Sequence, residues 1–85
     1  MAYTVEFGAN ADREFRKFSH DLQLRLRPRI DALETNPRPP GAKKLAGQED
    51  LWRIRVGDYR VVYEIHDRIL VVLIVRIAHR REAYR

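Results

Sequence analysis

The chain has 85 residues and a formal net charge of +5, from 17 basic and 12 acidic side chains, and it contains no cysteine. That length holds one domain, with a small core, and the absence of thiols excludes disulfide staples and thiolate metal sites. The longest apolar run, Ile69 to Val75, falls far short of the roughly 20 residues of a membrane helix, and no signal peptide is visible at the N-terminus. A single domain over 1–85 in the cytoplasm is the expectation, with acidic partners favoured by the charge. The excess is uneven: ten basic and six acidic residues lie in 43–85, against seven and six in 1–42.

Tyr3, Val5 and Phe7 alternate with Thr4 and Glu6, which predicts a short strand ended by Gly8 to Asn10. Ala11, Phe15, Phe18 and Leu22 then recur at helical spacing, and Leu22, Leu26, Ile30 and Leu33 continue as a second apolar stripe. Ser19 is placed to cap the second of two helices, and Arg13, Arg16, Lys17, Arg25, Arg27 and Arg29 are expected mostly outward. Pro28 falls inside the second helix, where a kink is expected. Residues 36–41, Asn-Pro-Arg-Pro-Pro-Gly, cannot continue it and read as a stiff connection.

From Leu51 the period becomes two. Trp52, Ile54 and Val56 point one way, Arg53 and Arg55 the other, and Gly57-Asp58 is a two-residue hairpin turn. Tyr59, Val61, Tyr63 and Ile65 alternate with Arg60, Val62, Glu64 and His66; Asp67-Arg68 makes the next turn. Ile69 to Ala78, apolar on both faces for most of its length, suits a central strand. The predicted fold is α+β, in the order β-α-α-β-β-β, with a helical hairpin on one face of a mainly antiparallel sheet. His79 to Arg85 forms a short basic tail.

The Gly57-Asp58 turn sets Val56 opposite Tyr59, Ile54 opposite Val61, and Arg55 opposite Arg60. Like charges directly opposed across a hairpin are unfavourable; an anionic ligand between them, or solvent screening on an open face, accounts for the pair. A meander returns the last strand to the same edge, so His79, Arg80, Arg81 and Tyr84 are expected near Arg55 and Arg60, with Lys43 and Lys44 close by. Guanidinium forks suit phosphate, and a tyrosine beside them can stack on a base. His20, His66 and His79 show no metal-ligand spacing, and neither a phosphate-binding GxxxxGK[ST] loop nor a GxSxG elbow is present. No metal and no cofactor is expected. His20 reads as a helix-junction surface residue, and His66 as the end of a hairpin.

Leu45 and Gly47, the run Trp52 to Ile65 (WRIRVGDYRVVYEI) and the segment His79 to Tyr84 (HRREAY) together resemble the RelE family of type II toxin–antitoxin toxins. The likeness covers nearly the whole chain, and the GDYRVVYEI and HRREAY segments are its more specific parts. It implies a small cytoplasmic ribosome-dependent endonuclease that cuts messenger RNA with the substrate's own 2′-hydroxyl as nucleophile, and a cognate antitoxin that holds it inactive. Carried over by position, Arg60 and Arg80 stabilise phosphate and Tyr84 stacks on or orients the substrate. Arg53 and Arg55 stand where the best-known member has lysines, and guanidinium is a poor general base. His79 is the candidate to replace it, with Lys43, Lys44 and Arg81 as substrate-binding residues. Two alternatives stay open: a gyrase-poisoning toxin of the related ParE type, and a non-catalytic module that only pairs with its antitoxin or with nucleic acid. No helix-turn-helix signature is present, so DNA would be reached only through the partner.

Overall fold

The computed structural model describes residues 2–47, 50–79 and 81. Strand β1 (Thr4–Phe7) leads into helices α1 (Ala9–Lys17) and α2 (His20–Asp31), and a short 3-10 turn spans Ala32–Glu34. Strands β2 (Lys43–Lys44), β3 (Leu51–Val56), β4 (Tyr59–His66) and β5 (Val71–His79) complete a five-stranded sheet in the order β1-β5-β4-β3-β2. The α+β architecture is the one expected, with the short strand β2 added at the edge.

Ser19 caps α2 by accepting from the Leu22 amide at 3.3 Å, which satisfies one of the helix's unpaired N–H groups. Helix α2 runs on through Pro28 to Asp31. Its stripe continues into the 3-10 turn: Leu26 and Ile30 of α2 and Leu33 of the turn are fully buried in one cluster with Ile54, Val61, Tyr63, Val72, Ile74 and Ile77 of the sheet. Burying side chains of this size contributes on the order of 1.5–3 kcal/mol each, and α1 adds the fully buried Ala11 to the same core.

Sheet register follows local chemistry. Gly57 takes φ +60°, a conformation that hairpin turns demand and that glycine adopts without strain. It pairs Val56 with Tyr59, Ile54 with Val61, Arg55 with Arg60 and Trp52 with Tyr63, as the sequence predicts. Strand β5 lies between β4 and β1, antiparallel to the first and parallel to the second. Its beginning differs from expectation. Ile69 and Leu70 belong to a four-residue turn, because His66 pairs with Val71 and Leu70 adopts φ +54°.

One irregularity shapes everything downstream. The register of β4 on β5 shifts between Val62 and Tyr63, so that Val61 faces Ile77 but Tyr63 faces Ile74. The extra residue of this β-bulge lets Val72, Ile74 and Ile77 all reach the core although they do not share one alternation. Past the bulge, each β5 side chain points to the face opposite the one a regular strand would give it.

Two polar contacts tie the far end of the sheet. The Asp67 carboxylate accepts from the Tyr3 hydroxyl at 2.5 Å and from Arg38 at 2.9 and 3.3 Å, and the Arg38 guanidinium lies 5.2 Å from the centre of the Trp52 ring. Arg38 first, then Tyr3, holds the Asp67 carboxyl below its ordinary value of 3.8. A carboxylate held low stabilises the fold above the unfolded-state pKa and loses that contribution as pH falls through the folded one. Meanwhile the fully buried Tyr63 hydroxyl donates to the Pro37 carbonyl at 2.7 Å, and burial pushes its pKa up to about 12.

Two stability measurements follow from these contacts. Tyr63→Phe leaves the Pro37 carbonyl unpaired and is expected to cost about 1 kcal/mol, read as a lower urea midpoint with an unchanged slope. Asp67→Asn is expected to lower stability at pH 7, with the gap to the parent narrowing as pH drops below about 4; a gap constant with pH would remove Asp67 from this role.

Candidate nucleic-acid interface

The sheet face turned away from the helices carries a row of cations. Because opposed residues share a face, Arg55 and Arg60 project together from β3 and β4, and Arg53 lies two residues from Arg55 on the same side. Strand β2 adds a second like-charge pair, since Lys43 is directly opposite Arg53. Lys44 is opposite Trp52 and therefore belongs to the other face. Arg60 is half-buried, its Nε fully so, and it stands opposite Ala78 near the end of β5.

The edge beside these strands is not flat. Strand β2 pairs only with Arg53 and Trp52, so the outer edge of β3 is open toward Val56. There a groove of about 320 Å³ is lined by Arg29, Pro40, Gly41, Lys43, Arg53 and Arg55. Arg29 reaches across from α2, with Nη2 3.5 Å from the Arg55 carbonyl. Sequence reading placed Arg29 outward with the other helical arginines. Only the packing angle of α2 on β3 turns it toward the cationic edge, and no residue pattern signals that angle.

The topological expectation is met: Tyr59 faces His79 and Arg60 faces Ala78, so the last strand ends beside the first hairpin turn. His79, however, is on the helix-bearing side. Its ring meets Tyr59 edge-on at 5.3 Å and ends a ladder of aromatic contacts from Tyr59 to Phe18, Phe18 to Phe15 and Phe15 to Phe7. The Arg81 amide donates to His79 Nδ1 at 3.3 Å. The bulge explains this placement: in an unbulged strand His79 would share a face with Arg60. The structure thus brings Lys43, Arg53, Arg55 and Arg60 to one face, adds Arg29 at its margin, and sets Lys44 and His79 apart from it. Arg80 and Tyr84 lie outside the described residues.

Four cations across three adjacent strands make a surface that binds polyanions through planar forks and a flexible ammonium. Among the described residues no cluster of three or more histidine, aspartate and glutamate side chains could hold a metal ion. A ligand present at about 100 times its Kd adds about 2.7 kcal/mol to a fold, several degrees of melting temperature for a domain this small. Tripolyphosphate is therefore expected to raise the melting temperature of the parent, and much less that of Arg55→Ala or Lys43→Ala. Equal rises in all three would place the anion elsewhere.

A family model described as ParE toxin of type II toxin-antitoxin system, parDE, matches residues 3–84. The chain is 29% identical over 85 residues to the mRNA interferase toxin RelE of Escherichia coli strain K12, covering 98% of this chain and 88% of that protein. Its fold superposes on the archaeal RelE–RelB complex from Pyrococcus horikoshii OT3 with a TM-score of 0.81 at 29% identity, over 94% of this chain and 97% of that one. The E. coli RelBE toxin–antitoxin complex gives a TM-score of 0.81 at 28% identity, over 92% and 96%.

Proposed function

This chain belongs to the ParE toxin family of type II toxin–antitoxin systems, in the superfamily that ParE shares with RelE, and we propose that it is an endoribonuclease that cuts messenger RNA on the translating ribosome and is held inactive by a cognate antitoxin. The observation that carries this proposal is the pair of like-charge oppositions, Lys43 with Arg53 and Arg55 with Arg60, on one open sheet face. The similarity to an mRNA interferase supports the substrate, and the complexes of RelE with RelB support the protein partner.

The chemistry needs few groups. The 2′-oxygen of one nucleotide attacks the adjacent phosphorus while the bond from phosphorus to the 5′-oxygen breaks. The 2′-hydroxyl proton departs and a proton reaches the 5′-oxygen, leaving a 2′,3′-cyclic phosphate and a 5′-hydroxyl. Negative charge grows on the non-bridging oxygens, and preorganised cations stabilise it more in the transition state than in the substrate. Arg60, rigid because it is half-buried, is assigned to those oxygens, with Arg55 and Arg53 beside it and Lys43 on the flanking strand. By family position Arg80 and Tyr84 act at the same phosphate, Arg80 on the leaving oxygen and Tyr84 on the base. With His79 on the opposite face, proton removal is left to a group other than that imidazole, and charge stabilisation carries most of the rate.

The test maps RNA 5′ ends in a translating extract. Cuts are expected inside codons and only with ribosomes, and Arg60→Ala is expected to lower the cleavage rate by about 10²-fold or more, the scale of losing one oxyanion donor. Intact transcripts alongside arrested growth would refute the proposal. The family's ParE description favours a second reading, a toxin that poisons DNA gyrase; purified gyrase accumulating cleaved DNA in the presence of this chain would select it.

A further inference from the structure

Helix α2 carries two arginines that the reaction outlined above does not use. Arg29 leans on the outer edge of β3, its Nη2 at 3.5 Å from the Arg55 carbonyl. Arg25 is one turn earlier, and its guanidinium covers the β3–β4 turn so closely that a β-carbon at Gly57 would meet Arg25 Nη2 at 2.7 Å. Both side chains are exposed, so neither is needed to fill the core. Four residues of helix rise about 6 Å, so the two arginines leave the helix at about the spacing of successive phosphates of an extended single strand. Between Arg29 and the sheet face lies the groove floored by Ile54 and walled by Pro40 and Gly41, with Lys43, Arg53 and Arg55 opposite Arg29.

We propose that this groove and the adjoining face of α2 form a second phosphate subsite, in which Arg29 and Arg25 bind the RNA backbone beside the scissile phosphate and lead the strand over the β3 edge. The proposal rests on the endoribonuclease reading for its substrate and extends it to residues outside the reacting centre. Several features favour a nucleic-acid strand. The groove is lined both by Arg29 of α2 and by Lys43, Arg53 and Arg55 of the sheet's other face, which suits a chain that passes from one face to the other. Its lining holds three guanidinium forks and one ammonium, more donors than a single small anion can engage. Pro40 and Gly41 give a wall without charge of its own, and a β-carbon at Gly41 would meet nothing within 4 Å, so the wall leaves room for a ribose.

The experiment measures binding rather than cleavage. Short single-stranded RNA with a 2′-deoxy nucleotide at the cutting position is titrated by fluorescence anisotropy against the parent, Arg29→Ala, Arg25→Ala and Arg29→Lys over a range of salt. Each alanine variant is expected to bind several-fold more weakly and to lower the slope of log K against log salt by about 0.7, the loss of one phosphate contact on a single strand. Arg29→Lys should keep the slope and lose part of the affinity. RNAs carrying one neutral methylphosphonate at successive positions then locate the contact: one substitution that weakens the parent should be without effect on Arg29→Ala. Unchanged slopes, or methylphosphonate effects that are the same in parent and variant, overturn the subsite. An acidic peptide that binds as tightly as the RNA, with the same sensitivity to Arg29→Ala, overturns the assignment to nucleic acid. A chain that binds RNA through Arg29 and Arg25 yet never cuts it refutes the nuclease and leaves the subsite standing.

Discussion

Two irregular points of backbone fix where the cations go. At Gly57 a positive φ closes the β3–β4 hairpin in two residues, and this register alone sets Arg55 opposite Arg60. A slip by one residue would send every side chain of the hairpin to the other face and bury arginines where Ile54 and Val61 now lie. The cost of that exchange locks the register, so the hydrophobic core and the cationic face are two consequences of one constraint. Arg25 packs on the bare side of Gly57, which couples the turn to α2 as well.

The bulge between Val62 and Tyr63 makes the second adjustment. It keeps Ile74 and Ile77 both in the core and, by inverting the alternation beyond it, moves Arg76 out to the surface and His79 onto the aromatic ladder. Because Glu14 reaches Arg76 at 3.6 Å and also accepts the Ile77 amide at 2.8 Å, α1 is clamped to the strand just past the bulge. The cationic face is then built by β2, β3 and β4, with Ala78 of β5 standing opposite Arg60.

Much of this was legible in the residues. The apolar stripes of α2, the two-residue turn and the central, doubly apolar strand each express one local rule, and those rules agree with the fold. So does the opposition of Arg55 and Arg60. What escaped sequence reading depends on distances between elements. The bulge left one trace in the sequence, Arg76, which the alternation of Val72 and Ile74 would carry into the core, but the apolar run on both faces around it hides that trace; the bulge also turns His79, expected near Arg55 and Arg60, to the helix-bearing side. The pairing of Lys43 with Arg53 needed a strand only two residues long, below the length at which alternation can be recognised. Arg29 needed the tilt of a helix.

Glu14 has one more consequence. Strand β1 pairs only with the segment from Val71 to Ile74, so the later part of β5 extends past its neighbour. An exposed strand margin of that kind is a template on which another chain can crystallise its own backbone. The carboxylate lent by α1 occupies the Ile77 amide before any stranger can, and a second copy meeting that margin finds the donor taken. That margin therefore offers a second copy one backbone donor fewer with which to extend the sheet.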